Sequence, residues 1–542
     1  MTGAAGEGGP ASPDDEPTAG FIGSGAHRVA SPPVVTNILA EGAASADPSA
    51  EEVAPPSQSL RHEVASGMAW STGSRMFVQV LGFATSIVMA RILSPREFGL
   101  MATVYVFSGL ASLLSDMGIA SALVQKRDLG RRDLDTAFWV SVGVGAALAG
   151  IVGGIAGPAV AAFYDEPVLE PLMWIIATTF LMTVHVVPLG MLERSMNFKK
   201  IAFMETIAYA VGAAAAVAAA VAGWGVYSLA VTPVVTGLLL ALLFFGAVRY
   251  RPHSFASRQA AKELWGFTGG YTGANALAYF SSNVDALLIG RILGQVPLGY
   301  FGRSSSLVSL PSQQVGYVMS RVMLPALARI RDDGERLRGV YLRAAALLSV
   351  AVCVNLGLLA AVSGTLVPFV WGERWTPMVP IVQALCLAGC WRSMAWPISW
   401  LCQVSGRTTL MLQLGLVTFG LALVGSVIGL QFGVVGVACA LAVSTLASLV
   451  PTFAVGARLL QVGAWTVVRP VLPGLLAAAA GSAAGLAAAD GIGEANVLLV
   501  LLVQSVSVLV VALAVLLVAD RLLGTRILTS ITAFRRLGTD AS

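Results

Sequence analysis

The chain is 542 residues long, 56% hydrophobic and only 11% charged, with a formal net charge of +4. Soluble domains carry about 25% charged residues, so this composition excludes an ordinary soluble protein, and the lack of period-two alternation argues against a β-barrel. The apolar residues gather in blocks of about 20, the length a helix needs to cross a bilayer, which predicts an all-α integral membrane protein.

Residues 1–62, as in "GEGGPASPDDEPTAG", are rich in Ala, Gly, Ser, Pro and acids. Such a segment cannot offset its ordering entropy, so a disordered cytoplasmic tail is expected. It lacks the basic start and apolar middle of a signal peptide. Fourteen spans are predicted after it. An N-lobe, 63–250, holds six, near 66–92, 97–125, 135–163, 168–190, 201–222 and 225–248. A cytoplasmic linker, 251–262, leads to a C-lobe, 263–460, with six more near 263–292, 297–322, 340–370, 376–404, 409–430 and 433–457. An extra helix pair, 461–522, lies near 468–489 and 495–519, and 523–542 is read as a cytoplasmic C-terminal tail.

The junction of spans 1 and 2, "ARILSPREFGLMA" from Ala90, returns at the junction of spans 7 and 8 as "GRILGQVPLGYFG" from Gly290. Arg91-Ile92-Leu93 recurs as Arg291-Ile292-Leu293, and Phe98-Gly99 as Leu298-Gly299. Two copies with flanking spans in the same order are an internal repeat. Lysine and arginine placement gives the orientation, because cytoplasmic loops carry their excess. Twenty-four fall on one side, in loops such as "QKRDLGRR", against Arg91, Arg96, Arg291 and Arg374 on the other. Both termini are therefore expected in the cytoplasm, and each lobe starts and ends there. Parallel repeats of this kind are related by an axis along the membrane normal, with the substrate site between them.

Removing loop and tail charges leaves Arg75, Asp116, Asp285, Arg303 and Arg392 within the spans. A charge at bilayer depth costs about 2.5–3.5 kcal/mol on insertion scales, so each needs a cavity, a partner or the interface. Arg75, Arg303 and Arg392 are read as substrate-binding, since a guanidinium fork matches phosphate bidentately. Asp116 is read as the partner of a loop arginine. Asp285, with Asn283, Ser281 and Ser282 beside it, has two readings: an oxygen-rich site for H⁺ or Na⁺, or a polar helix face paired with arginine. The balance suits an anionic head group better than a cationic drug, which needs acids and aromatic faces. The five cysteines fall in apolar blocks as packing residues, the four histidines form no ligand cluster, and no metal site or cofactor is expected. Enzyme signatures are missing, so the chain is read as no enzyme, and the basic loops give no support for nucleic acid.

Four stretches carry a resemblance: "ARILSPREFGLMA" with "SDMGIASALVQKRDL" (90–129), "LERSMNFKKIAFMETIA" (192–208), "VDALLIGRILGQVPLGYFGRSSSLVSLPSQQVGYVMSRVMLPALARIRDD" (284–333) and "WGERWTPMVPIVQALCLAG" (371–389). Over about 65–460 the chain resembles the polysaccharide transporter family, the oligosaccharide-lipid flippases of the multidrug/oligosaccharidyl-lipid/polysaccharide exporter superfamily. The resemblance implies two six-helix bundles rocking between two states in a bacterial cytoplasmic membrane. The implied cargo is an undecaprenyl-pyrophosphate-linked glycan, with membrane lipid and other glycan-assembly proteins as further partners. Cationic cavity residues in the family fit Arg75, Arg303 and Arg392 by type and helix, and Arg303 falls in the family-like "GYFGRSSSLVSLP". The rival readings are a cation-coupled multidrug antiporter of the same superfamily and a membrane glycan polymerase or ligase.

Overall fold

The computed structural model describes residues 58–116, 130–248, 250–253, 279, 283–492 and 496–523. The expected N-terminal tail up to 57, most of the linker, the greater part of span 7 with Ser281 and Ser282, and the C-terminal tail from 524 lie outside the described residues, as does the Asp116 side chain.

Among the described residues every regular element is helical. The N-lobe comprises α1 (Gln58–Ile92), α2 (Pro95–Asp116), α3 (Arg131–Tyr164), α4 (Leu169–Arg194), α5 (Phe198–Val221) and α6 (Tyr227–Val248). The C-lobe comprises α7 (residues 283–292), α8 (Gln295–Arg329), α9 (Gly334–Trp371), α10 (Glu373–Val404), α11 (Thr408–Gly429) and α12 (Gly433–Leu460), and the extra pair is α13 (Leu472–Ile492) and α14 (Val497–Leu523).

The repeated junction folds as its residues dictate. Pro95 opens α2, where its missing N–H costs nothing. The Glu97 carboxylate accepts from the Ser94 backbone N–H at 2.6 Å and from the Ser94 hydroxyl at 2.9 Å, part of a capping box. The second copy reaches the same turn by another route: Gly294 adopts φ +93°, a conformation that only glycine takes without strain.

Ten stretches among the described residues are long and apolar enough to cross a membrane, one of them, Thr409–Leu460, taking in both α11 and α12. α2 and α8 are not among the ten, so the expected count of fourteen rests on these two and α7 crossing as well. α8 carries Ser304, Ser305, Ser306, Ser309 and Ser312 and packs lengthwise on α2. A helix buried between two lobes need not be apolar all round. α8 and α9 also outrun their expected spans: at 35 and 38 residues they measure about 52 and 57 Å. They therefore project well beyond a hydrocarbon core of about 30 Å, and the Asp333 side chain caps α9 through the Arg336 N–H at 3.0 Å.

One core lies within the N-lobe, and a larger one in the C-lobe takes in Met89, Ala90, Leu93 and Phe98 from the N-lobe. Leu169, Leu172, Met173, Ile176 and Phe180 of α4 anchor the first, and α9, α10 and α12 supply most of the second. The extra pair packs on α9 through small residues, the usual basis of close helix contact in lipid. A Cβ on Gly357 would stand 3.0 Å from Ala478, Ser482 donates to the Gly357 carbonyl at 2.8 Å, and Gln504 of α14 donates to the Ala361 carbonyl at 3.4 Å. At the start of the linker the Tyr250 hydroxyl donates to Asp135 of α3 at 2.7 Å, and the His253 N–H reaches the same carboxylate at 3.3 Å. Burial, with the bond to Asp135, pushes the Tyr250 hydroxyl up, so it remains a donor across the physiological pH range.

A candidate substrate site between the lobes

The two copies of the repeat meet each other. A Cβ on Gly99 would overlap the Gln295 carbonyl oxygen, and a Cβ on Gly299 would overlap the Pro95 carbonyl oxygen. Each glycine thus admits the first turn of the other lobe's helix, and the Thr103 hydroxyl lies 3.1 Å from Gln295 Oε1 across the contact.

A clasp lies beside it. The Arg91 guanidinium, at the end of α1, donates to the Val370 carbonyl at 2.9 Å and to that of Phe369, both in the last turn of α9. Arg374, just beyond α9, returns the contact to the carbonyls of Leu93 (3.3 Å) and Arg91 at the end of α1. Trp375, fully buried, donates from Nε1 to Ala90 at 2.9 Å. The last carbonyls of a helix have no partner within it and carry the negative end of its dipole, so arginines satisfy both needs. The other seam is lighter: the Tyr164 hydroxyl donates to the Leu287 carbonyl at 3.2 Å, and Arg291 lies over Phe163 at 5.2 Å.

Behind the clasp two cavities flank Arg303 and Ser306, which line both. The first, about 420 Å³, lies between α2, α7 and α8 and is lined by Phe98, Tyr105, Tyr279, Asn283, Asp285 and Arg303 among others. The second, about 340 Å³, lies between α1, α5, α8 and α9 and is lined by Gln79, Phe83, Ser86, Tyr209, Arg303 and Trp371 among others.

Of the residues singled out in the sequence, the structure brings Arg303, Asp285 and Asn283 to one cavity. The Arg303 guanidinium lies 4.0 Å from the centre of the Phe98 ring, and its Nε is buried with no hydrogen-bond partner. A desolvated cation–π contact contributes about 2 kcal/mol, and an unmet buried donor costs about 1–3 kcal/mol, so the ring does no more than offset the orphaned N–H. Phe98 in turn meets Trp375 edge-on at 5.3 Å, linking the cavity arginine to the clasp. Asp285 accepts from Ser426 of α11 at 2.9 Å and feels the charge of Arg392. Asn283 donates to the Tyr279 carbonyl at 2.8 Å.

Arg392 and Arg75 do not line either cavity; both are exposed, and Arg75 acts electrostatically on Glu205 of α5. Glu205 is a half-buried acid within a span, and the sequence reading overlooked it. So were the tyrosines and the clasp. Their signals were present: an arginine in the last turn of a predicted helix suits the dipole there, and Glu205 interrupts an otherwise apolar run.

The sequence matches a family described as "Polysaccharide biosynthesis protein" over residues 88–380. The chain belongs to this family. As a polysaccharide biosynthesis protein it is 30% identical over 391 residues to the lipopolysaccharide biosynthesis protein WzxC of Escherichia coli (strain K12), covering 70% of this chain and 78% of that one. It is 26% identical over 326 residues to the succinoglycan biosynthesis transport protein ExoT of Rhizobium meliloti (strain 1021), covering 60% of this chain and 66% of the relative. Its fold is similar to that of the lipid II flippase MurJ in an inward closed conformation, with a TM-score of 0.64 at 13% identity, covering 83% of this chain and 98% of that chain. The chain is thus a multi-pass membrane protein of the polysaccharide biosynthesis protein family, with a helical fold like that of this flippase.

Proposed function

We propose that the protein is a flippase for an undecaprenyl-pyrophosphate-linked oligosaccharide, carrying a polysaccharide or lipopolysaccharide repeat unit across the cytoplasmic membrane by alternating access. The relative named as a succinoglycan biosynthesis transport protein and the flippase-like fold support transport over glycan synthesis. Both termini and the basic loops face the cytoplasm in this reading, so the clasp closes the outer end. Arg75 and Arg392 each have a carboxylate nearby, which leaves Arg303 as the cation the cavities offer to a diphosphate. Its fork donates to two phosphate oxygens, which gives the orphaned Nε an acceptor. The polyprenyl tail stays in lipid while the head group crosses. A dianion leaving a negative interior gains about 4.6 kcal/mol per 100 mV, enough to drive export if the arginine stays behind.

The observation that carries this reading is the half-buried Arg303, its Nε buried and without a partner, at a cavity between two pseudo-symmetric lobes. Arg303→Gln on the chromosome is expected to lower surface polysaccharide more than tenfold and to accumulate lipid-linked glycan, with Arg303→Lys retaining part of the export. Immunoblotting of membranes checks protein level. Normal export by Arg303→Gln would remove the proposal.

A further inference from the structure

The second cavity holds two orphaned donors rather than one. Trp371, the last residue of α9, lines it, is 3% exposed, and has a buried indole N–H without a hydrogen-bond partner, as has the Arg303 Nε. Buried donors in native proteins nearly always find acceptors, so two in one wall point to a ligand that brings them. Three aromatic residues share that wall. Phe83 meets Trp371 edge-on at 5.8 Å, and Tyr209 stands where a Cβ on Gly82 would come within 2.6 Å of its hydroxyl, so the glycine leaves the room this side chain uses. Gln79, Ser86 and Ser306 add neutral polar groups, and among the described residues no carboxylate lines the cavity.

Three ligand chemistries compete for this wall. An organic cation needs an acid, and among the described residues the lining has none. An acyl chain would leave Arg303, Trp371 and the neutral polar groups unmatched, at a cost in desolvation. A sugar ring on a diphosphate meets every demand: the diphosphate accepts from Arg303, sugar hydroxyl and ring oxygens accept from the Trp371 N–H, and the C–H face of the ring lies against the electron-rich face of an aromatic ring. A volume of about 340 Å³ sits at the small end of ligand pockets, which suits one or two rings rather than a long glycan.

We propose that this cavity, walled by Trp371, Tyr209 and Phe83, is a sugar-recognition subsite that reads the ring or rings next to the diphosphate, with Arg303 as the partition between charge and sugar. The inference rests on the flippase reading and adds to it where specificity resides.

The test uses the full chain in lipid nanodiscs. Its probes are undecaprenyl pyrophosphate alone and the same lipid bearing N-acetylglucosamine, glucose or galactose, with affinities measured by thermophoresis. The wild type is expected to bind at least one sugar-bearing lipid at least fivefold more tightly than the bare lipid. Trp371→Phe and Tyr209→Phe are expected to cut that ratio at least fivefold, whereas Arg303→Lys weakens both ligands together and keeps the ratio. Tyr209→Phe removes a single atom, so it carries the test if Trp371→Phe does not fold. Equal affinity of the wild type for bare and sugar-bearing lipids overturns the subsite, and so does an unchanged ratio in the folded variants. Binding of none of the four lipids by the wild type overturns the flippase reading itself.

Discussion

At the scale of single residues, the charges within the spans divide by whether the chain supplies their counter-charge. Asp285 has a hydroxyl bond from Ser426 and the field of Arg392, contacts that favour its role as an internal partner over that of an ion site. Asp285→Asn is therefore expected to export glycan at the wild-type rate whether pH or sodium is varied, as measured by uptake into inverted vesicles; loss of a pH or sodium dependence would instead assign ion coupling to Asp285 and Asn283. Arg303 was legible in the sequence because an arginine in an apolar span must face something polar. Its surroundings were not, since Phe98, Tyr209 and Trp371 come from three other helices and look, in sequence, like any lipid-facing aromatic residue. Glu205 escaped notice because its stretch begins among the basic residues of a loop, where an acid is unremarked.

At the scale of elements, helix ends do more than connect. The clasp joins α1 and α9 through carbonyls that neither helix can satisfy alone, and breaking it exposes two dipole ends at once. Interactions of this kind contribute about 0.3–1 kcal/mol each when exposed and up to about 2 kcal/mol when partly buried, so loss of several shifts a two-state equilibrium severalfold or more. Arg91→Ala combined with Arg374→Ala is expected to favour the state open at that end. With native cysteines replaced by alanine, a Ser306→Cys probe should then react faster with an impermeant maleimide added outside whole cells, by at least threefold over the intact clasp. Helix existence was largely readable from block length, but helix extent was not. α8 and α9 run on past the bilayer, α8 continuing through Pro311 and Pro325, and hydropathy registers only the part that lipid demands be apolar.

At the scale of the whole molecule, the repeat was visible as words in the sequence, and the structure gives it a reason. Gly99 accepts the turn at Gln295, and Gly299 accepts the turn at Pro95. Such reciprocity is the rule of an isologous interface, in which one surface is complementary to itself. It follows that a six-helix half already contains the instructions for mating with a sister half, as a homodimeric ancestor before gene fusion would have required. The peptide joining them then serves mainly to raise effective concentration. Cutting the gene at residue 257 and co-expressing the two fragments should yield a complex that co-purifies through a tag on either one and restores surface polysaccharide to a strain lacking the intact gene. Substituting Ala for Gly99 and Gly299 in the fragments should abolish that reunion while leaving the uncut protein, whose halves cannot drift apart, still partly assembled.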